Sequence, residues 1–256
     1  MAQAPYDVRS ITVQEMAAFV KIRHYSTVMP RLTKACFGGF RDGELVAAIS
    51  FGWGSRPRHT IQKLFPSLGV DDYLEIGKMC LRDDQPKNSE TSFMSDAFWK
   101  LHKQFPDLKL IFTWADGLWG KPGYVYQAAN FLYGGFIWTD VYQTEDGKRI
   151  HPLQLQAEIS KSGLSTTRRT NRPTEREMAE RGWQHYWGKQ FRYVKFLCDA
   201  KEQQRLLAES PFPWTATRAG YPKAADLVWF QKVEGTKLPC EQPKFTGTWD
   251  SQEAAA

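Results

Sequence analysis

Asp116 opens the stretch DGLWGKPGYVYQAANFLYGG, in which Tyr124, Tyr126 and Tyr133 follow. The apolar run LKLIFTWA just before it reads as a buried strand. The carboxylate therefore stands at a strand's carboxyl end, where open α/β sheets bind their ligands. Pro122 suits the first turn of a helix, and Gly120 and Gly123 permit tight turns on either side of it. On such a helix Tyr126 and Tyr133, seven residues apart, share one face while Tyr124 points elsewhere. Without a ligand the same residues read as an acid that caps a turn and phenols that pack with satisfied hydroxyls.

Three further groups carry chemistry. Lys87-Asn88-Ser89-Glu90-Thr91-Ser92 joins a strand to an amphipathic helix, where unpaired N–H groups and the helix dipole attract phosphate, with hydroxyls and a lysine as added donors. His24-Tyr25-Ser26 ends the first helix, and a histidine there complements the dipole. With Asp116, the His24 imidazole and Tyr25 phenolate form a donor set that iron would accept, although no spacing rule selects it. The tract from Lys161 to Arg205 holds eleven Lys and Arg against five Asp and Glu, an excess of six that equals the net charge of the whole chain. Trp183, Tyr186 and Trp187 are interleaved in it, a pattern suited to a phosphate backbone and an unpaired base. Its candidate contacts are Arg168, Arg169, Arg172, Lys189 and Arg192, the first three preceding a helix with no acid close by in sequence.

Several elements must position these groups. Thr12 and Glu15 form a capping box for a helix that is expected to bury Met16, Phe19, Val20 and Ile22. Asp42-Gly43 between two apolar runs predicts a hairpin with a type I′ turn. YLEIGKMCL reads as a strand, residues 53–72 as irregular, and Ser92 to Phe105 as a helix with Phe93, Ala97, Phe98, Leu101 and Phe105 on one face. Another strand is expected around Phe136 to Tyr142, and Thr174 with Glu177 forms a second capping box. An antiparallel start followed by strand–helix–strand–helix predicts an α/β (α+β) protein with a mixed central sheet flanked by helices. The expected organisation is a core over 1–160, a basic segment over 161–209 that completes the core and binds DNA, and an extended or disordered proline-rich tail over 210–256.

Composition narrows the partners. A chain of 256 residues, 42% apolar, is sized for one substantial core with extensions. Net charge +6 and a pI near 9.1 suggest an anionic partner. Cys36, Cys80, Cys198 and Cys240 lack metal-ligand spacing and read as reduced thiols. No apolar run spans a bilayer and no signal-peptide pattern begins the chain, so a soluble cytoplasmic protein is expected.

The order RHYS, GGFRDGELVAAISFG, LEIGKMCLRDDQPKNSETS, TWADGLWGKPGYVYQAANFLYGG, KQFRYVKFL resembles the Mom family of phage DNA-modification proteins over roughly residues 10 to 200. Its most specific part is ADGLWGKPGYVYQAANFLY, beside the family's Asp, Gly-His-x-Gly, Tyr ten residues after the Asp, and Asn-Phe-x-Tyr. The resemblance implies a GNAT-like fold, an acetyl-CoA or related acyl donor, double-stranded DNA as partner and transfer of a methylcarbamoyl-type group to the N6 amine of adenine, which protects phage DNA from restriction. It implies functional roles for Asp116, Tyr126, His24 and Tyr25, a hydroxyl of the phosphate loop at Ser89 or Ser92, and a basic strand residue at Lys78. Lys121 stands where the family often has His, and the phosphate loop lacks the glycines of GNAT proteins. In such a site Asp116 would take the proton of a poorly nucleophilic amine and Tyr126 would protonate the leaving group. His24 and Tyr25 would hold the base, and Trp119 is a candidate to stack on it. An aminated pyrimidine or an RNA base as acceptor, or a DNA-binding relative without catalysis, fits the same residues.

Overall fold

The structure is a computed structural model and describes residues 6–26, 28–150, 152 and 172–246. It divides into two compact units, the first comprising Met1–Ala115, Gly123–Gly135 and Arg192–Tyr221. The second comprises Asp116–Pro122, Phe136–Phe191 and Pro222–Ala256. The expected split at 160 and 209 is therefore not the one observed, because the chain returns to each unit more than once. The mixed α/β architecture with flanking helices is present.

In the first unit, strand β1 (Asp7–Ser10) leads into helix α1 (Val13–Arg23), whose start carries both halves of the Thr12–Glu15 capping box; Met16, Phe19 and Val20 are buried as expected, but Ile22 in the last turn is exposed. Strands β2 (Leu32–Arg41) and β3 (Glu44–Trp53) form the hairpin, with Asp42 at φ 52° and Gly43 at φ 82° as the turn requires. Helix α2 (Pro57–Leu64) occupies the stretch expected to be irregular. Its missed signal is Pro57 at the first helical position with Ile61 and Leu64 buried one turn on. Strand β4 (Tyr73–Leu81) pairs antiparallel with β3 and parallel with β5 (Leu110–Asp116), and helix α3 (Ser89–Gln104) makes the crossover. Helix α4 (Tyr124–Ala128), strand β6 (Leu132–Gln143), strand β8 (Gln184–Phe196) and helix α6 (Ala200–Glu209) follow. Strand β7 is Arg149–Ile150 and helix α5 is Glu175–Glu180. The strand order in the first unit is β1-β2-β3-β4-β5-β8.

The main core of this unit gathers Phe65, Tyr73, Phe112, Val194 and Leu206, with Trp214 packed against it. Trp214 stacks on Phe65 at 5.5 Å, and its Nε1 donates to Ser210 Oγ at 2.7 Å. Tyr221 is buried and donates to the Phe131 carbonyl. The expectation of an extended or disordered tail is thus corrected for residues 210–246. Single aromatic anchors between prolines leave no periodic pattern to detect.

In the second unit the order is β10-β9-β8-β6-β7, with β9 (Trp229–Val233) and β10 (Thr236–Cys240) forming a hairpin through Glu234 and Gly235. One sheet face packs on Leu118, Val141, Tyr186 and Phe245, with Trp119 and Trp229 partly buried against them. Helix α5 has the expected Thr174–Glu177 capping box. Among the described residues no helix is long and apolar enough to cross a membrane.

Candidate functional site

Tyr126 sits on α4, which is only five residues long. Tyr133 therefore lies on β6 and not on the same helix, which corrects the expected helical face. Gly123 precedes α4 at φ 97°, and a Cβ there would come within 2.5 Å of the Tyr193 ring. This close approach requires glycine, and it presses α4 onto β8. Tyr193 instead brings together the two tyrosines expected to share a helical face: its ring lies 5.6 Å from both Tyr126 and Tyr133, and its hydroxyl accepts from Gln127 Nε2 at 3.0 Å. The Tyr126 ring keeps partial exposure while its hydroxyl end is enclosed. Burial raises this phenol above its ordinary value, with a hydrogen bond to the buried Thr113 as the opposing influence.

His24 caps the C-terminal end of α1 with extended backbone, its N–H bonded to the Val20 carbonyl. His24 Nδ1 lies 3.0 Å from both the N–H and the carbonyl oxygen of Ser26, so this one residue holds the ring in either tautomer. Tyr25 stacks on His24 at 4.3 Å, and Lys78 Nζ on β4 donates to Ser26 Oγ at 2.7 Å. The structure thus joins His24, Tyr25 and Lys78 through Ser26, although the sequence separates Lys78 from the others.

The loop before α3 supplies its left-handed residue from Asn88, at φ 69°, where a glycine would otherwise serve. Ser92 N–H bonds to the Asn88 carbonyl as the first helical bond, and Thr91 Oγ1 donates to the same oxygen at 2.9 Å. Ser89 is turned inward at 1% exposure, whereas Lys87, Asn88 and Ser92 are exposed. A phosphate group reaching this helix end would meet Ser92 rather than Ser89.

Asp116, in the second unit, ends β5 and caps the short 3-10 turn Gly117–Trp119. Its Oδ1 accepts from the Leu118 N–H at 3.1 Å, and its Oδ2 pairs with Arg149 Nη2 at 3.1 Å. Both side chains are largely withdrawn from water. Trp119 packs against Phe245 at 5.2 Å, with the Arg149 guanidinium 5.5 Å from its ring, so its surroundings are those of a core side chain. Among the described residues no three His, Cys, Asp or Glu side chains gather as a metal site. With Asp116 held by Arg149 and His24 Nδ1 held by Ser26, the iron reading has no support.

The basic tract is corrected in part. Arg168 and Arg169 lie outside the described residues. Arg172 has an acidic partner after all, distant in sequence: it grips Asp140 through Nη1 at 2.8 Å and Nη2 at 3.2 Å. Arg192 is 4% exposed, donates to the Gly134 carbonyl and lies 3.9 Å over the Phe212 ring. Burial pushes its guanidinium pKa down, and no phosphate can reach it. Lys189 remains at the surface of β8, donating to the Asp226 carbonyl at 2.9 Å. Sequence reasoning missed Thr113, Arg149 and Tyr193, whose partners lie far away along the chain. Thr113 and Tyr193 sit in unbroken buried runs of β5 and β8, so no alternation singles them out.

The sequence model of the Mom protein family matches residues 5–214. The methylcarbamoylase Mom of Escherichia phage Mu is 26% identical over 210 residues, covering 80% of this chain and 83% of that protein. Among solved structures, a Bacillus subtilis acetyltransferase in complex with CoA aligns at 10% identity and TM-score 0.38, covering 77% of this chain and all of that one. A malonyl-CoA decarboxylase from Agrobacterium vitis aligns at 13% identity and TM-score 0.31, over 43% of this chain and 33% of its own.

Proposed function

The chain belongs to the Mom protein family, and from that membership we propose that it is a transferase that modifies DNA, adding a methylcarbamoyl-type group to the N6 amine of adenine. The observation that carries this reading is the match of residues 5–214 to the family, together with the phage Mu methylcarbamoylase aligned over 80% of the chain. Asp116 and Tyr126 both fall within that stretch.

In this reading the amine nitrogen attacks the donor's carbonyl carbon, and the bond from that carbon to the leaving group breaks. Asp116 accepts the amine proton on a lone pair left over after its bonds to Leu118 N–H and Arg149, since a carboxylate offers about four acceptor positions. Tyr126 protonates the leaving group. Its raised phenol holds the proton throughout the neutral range, as an acid in this role must. Arg149 fixes the direction of the carboxylate. His24, Tyr25 and Lys78 offer polar groups to the base or the donor. An acyl-CoA-type donor fits the start of α3, where the positive end of the helix dipole, Lys87 and the hydroxyl of Ser92 would receive its phosphates.

A group added at N6 replaces a hydrogen-bond donor in the major groove, so base-edge readers such as restriction enzymes would no longer recognise the site. Host cytoplasm is the compartment where that protection would act. The test is mass analysis of nucleosides from DNA of cells that express the protein. A deoxyadenosine heavier by a methylcarbamoyl group is expected, and it should be lost in Tyr126→Phe. A modified pyrimidine, modified RNA, or unmodified nucleic acid from abundant folded protein would each refute the assignment.

A further inference from the structure

The second unit's sheet has one face on its core, and the opposite face is aromatic and open. On β6 the two-residue period puts Phe136, Trp138 and Asp140 on the same side, away from the fully buried Val141. Phe136 is 41% and Trp138 50% exposed. Trp138 meets Phe230 of β9 edge-on at 5.6 Å, and Phe136 meets Trp138 at 5.8 Å. Phe230 is paired in register with Trp187 of β8, so these rings form one continuous strip.

Cations lie along the strip. Lys189 Nζ lies 4.7 Å from the Phe136 ring centre, and Lys237 Nζ lies 4.1 Å from that of Trp187. Among the described residues neither lysine meets a carboxylate within salt-bridge distance, so both keep charge for a partner. At the far end, a cavity of about 560 Å³ is lined by Arg172, Arg176 and Lys232, whose charges are met by Asp140, Glu180 and Glu175, and by His185, which is bonded to Asp140. A solvated sheet face is ordinarily polar, and large rings exposed there mark a docking surface. Successive flat rings interleaved with lysines match an unpaired nucleic-acid strand, whose bases stack on aromatics while its phosphates meet the cations. A duplex, with its bases already stacked on each other, cannot use such rings.

We propose that this face binds a locally unpaired DNA strand, its bases stacking on Phe136, Trp138 and Phe230 and its phosphates meeting Lys189 and Lys237. The proposal rests on DNA being the substrate: it adds that the enzyme holds the strand open. Of the three aromatics singled out in the basic tract, only Trp187 lies on this strip. Tyr186 is on the core face, and Trp183 packs beside Tyr142 and Met178.

The test measures binding of the full chain to one 20-nucleotide DNA as single strand, as duplex and as duplex with an unpaired bubble, by fluorescence anisotropy across salt. Phe136→Ala and Trp138→Ala remove exposed rings, so the fold should persist, and melting curves check it. The wild type should prefer single strand and bubble, and each variant should lose about tenfold or more on those two while duplex binding barely changes. Lys189→Gln and Lys237→Gln should each flatten the salt dependence for single strands by a slope of about 0.7. Folded Trp138→Ala with wild-type affinity for single strand and bubble would overturn the proposal. So would binding confined to RNA of the same sequence, or a wild-type dimer that Trp138→Ala converts to monomer, since the face would then be covered by a second copy. Base modification that is unaffected by these variants would sink the proposal and leave the proposed function standing. Strand binding lost as expected, without modified nucleosides in any DNA, would do the reverse.

Discussion

Replacing Asp116 tests the chemistry and the architecture together, because its carboxylate holds a turn, a guanidinium and, in our reading, a proton. Asp116→Asn keeps the size and retains an oxygen to cap Leu118 N–H, so the turn should survive. It removes the partner of Arg149, whose side chain is 17% exposed against 13% for Asp116. Exposed ion pairs contribute about 0–1 kcal/mol, whereas breaking a buried one costs about 3–5 kcal/mol. This pair is closer to the buried limit, so a loss of about 2–4 kcal/mol is expected. For a chain of this size that lowers the melting point by on the order of 10 °C.

A fall in activity of Asp116→Asn alone therefore decides nothing. The informative set adds Arg149→Met and the double variant Asp116→Asn/Arg149→Met. Removing both charges relieves the unmatched one, so the double variant should melt closer to wild type than either single variant does. Modification per folded molecule should follow a different order. Arg149→Met retains the carboxylate and should stay within about tenfold of wild type, while Asp116→Asn and the double variant should both fall by about two to four orders of magnitude. Melting by circular dichroism and nucleoside mass analysis on the same four preparations provide both quantities. If the double variant recovers activity along with stability, Asp116 is a structural half of an ion pair and the proton acceptor lies elsewhere.

Tyr126→Phe should cut modification by about two to four orders of magnitude with little change in melting, measured on the same assays. Burial raises the phenols of Tyr73, Tyr126, Tyr142 and Tyr193, so the folded state keeps protons that the unfolded chain releases. Stability from these groups is whole below about pH 10 and should fall above it by about 1.4 kcal/mol per phenol per pH unit; melting that stays level from pH 9 to 11.5 would contradict this. Trp214→Ala should cost about 3–5 kcal/mol, and truncation before it should lower the melting point by several degrees, because the indole fills the space beside Phe65. Arg192→Met should leave the salt dependence of DNA binding unchanged in titrations, since the guanidinium is inside the protein.

Much of the fold was legible where a local pattern has one physical solution. The Thr12–Glu15 box, the Asp42-Gly43 turn and the apolar run of β4 each appeared where the sequence put them. Helix α2 was not, because a helix of eight residues buries only Ile61 and Leu64 and offers too few turns to show a period. The segment after Glu209 failed for a related reason. Trp214 and Tyr221 dock one at a time, through contacts to Phe65 and Phe131 that lie far back in the chain.

The candidate site shows the same boundary more sharply. The residue types and their order were readable, since Asp116 and Tyr126 stand in a motif of fixed spacing. Their partners were not: Thr113 meets Tyr126 from an adjacent strand's interior, and Arg149 reaches Asp116 from thirty-three residues on. Those partners decide the chemistry. A carboxylate bound to a guanidinium is an acceptor held in one direction, and a phenol enclosed by protein is an acid that must give its proton to a developing negative charge or keep it. Arg192 makes the converse case, because a basic residue in a basic tract is a phosphate ligand only if the strand turns it outward, and β8 turns it onto Phe212. On the same strand Lys189 emerges at the surface over Phe136. The charge count along this tract thus overstated how much of it faces a partner, and the exposed aromatic strip, invisible to any charge count, carries the larger share of the specificity we assign to it.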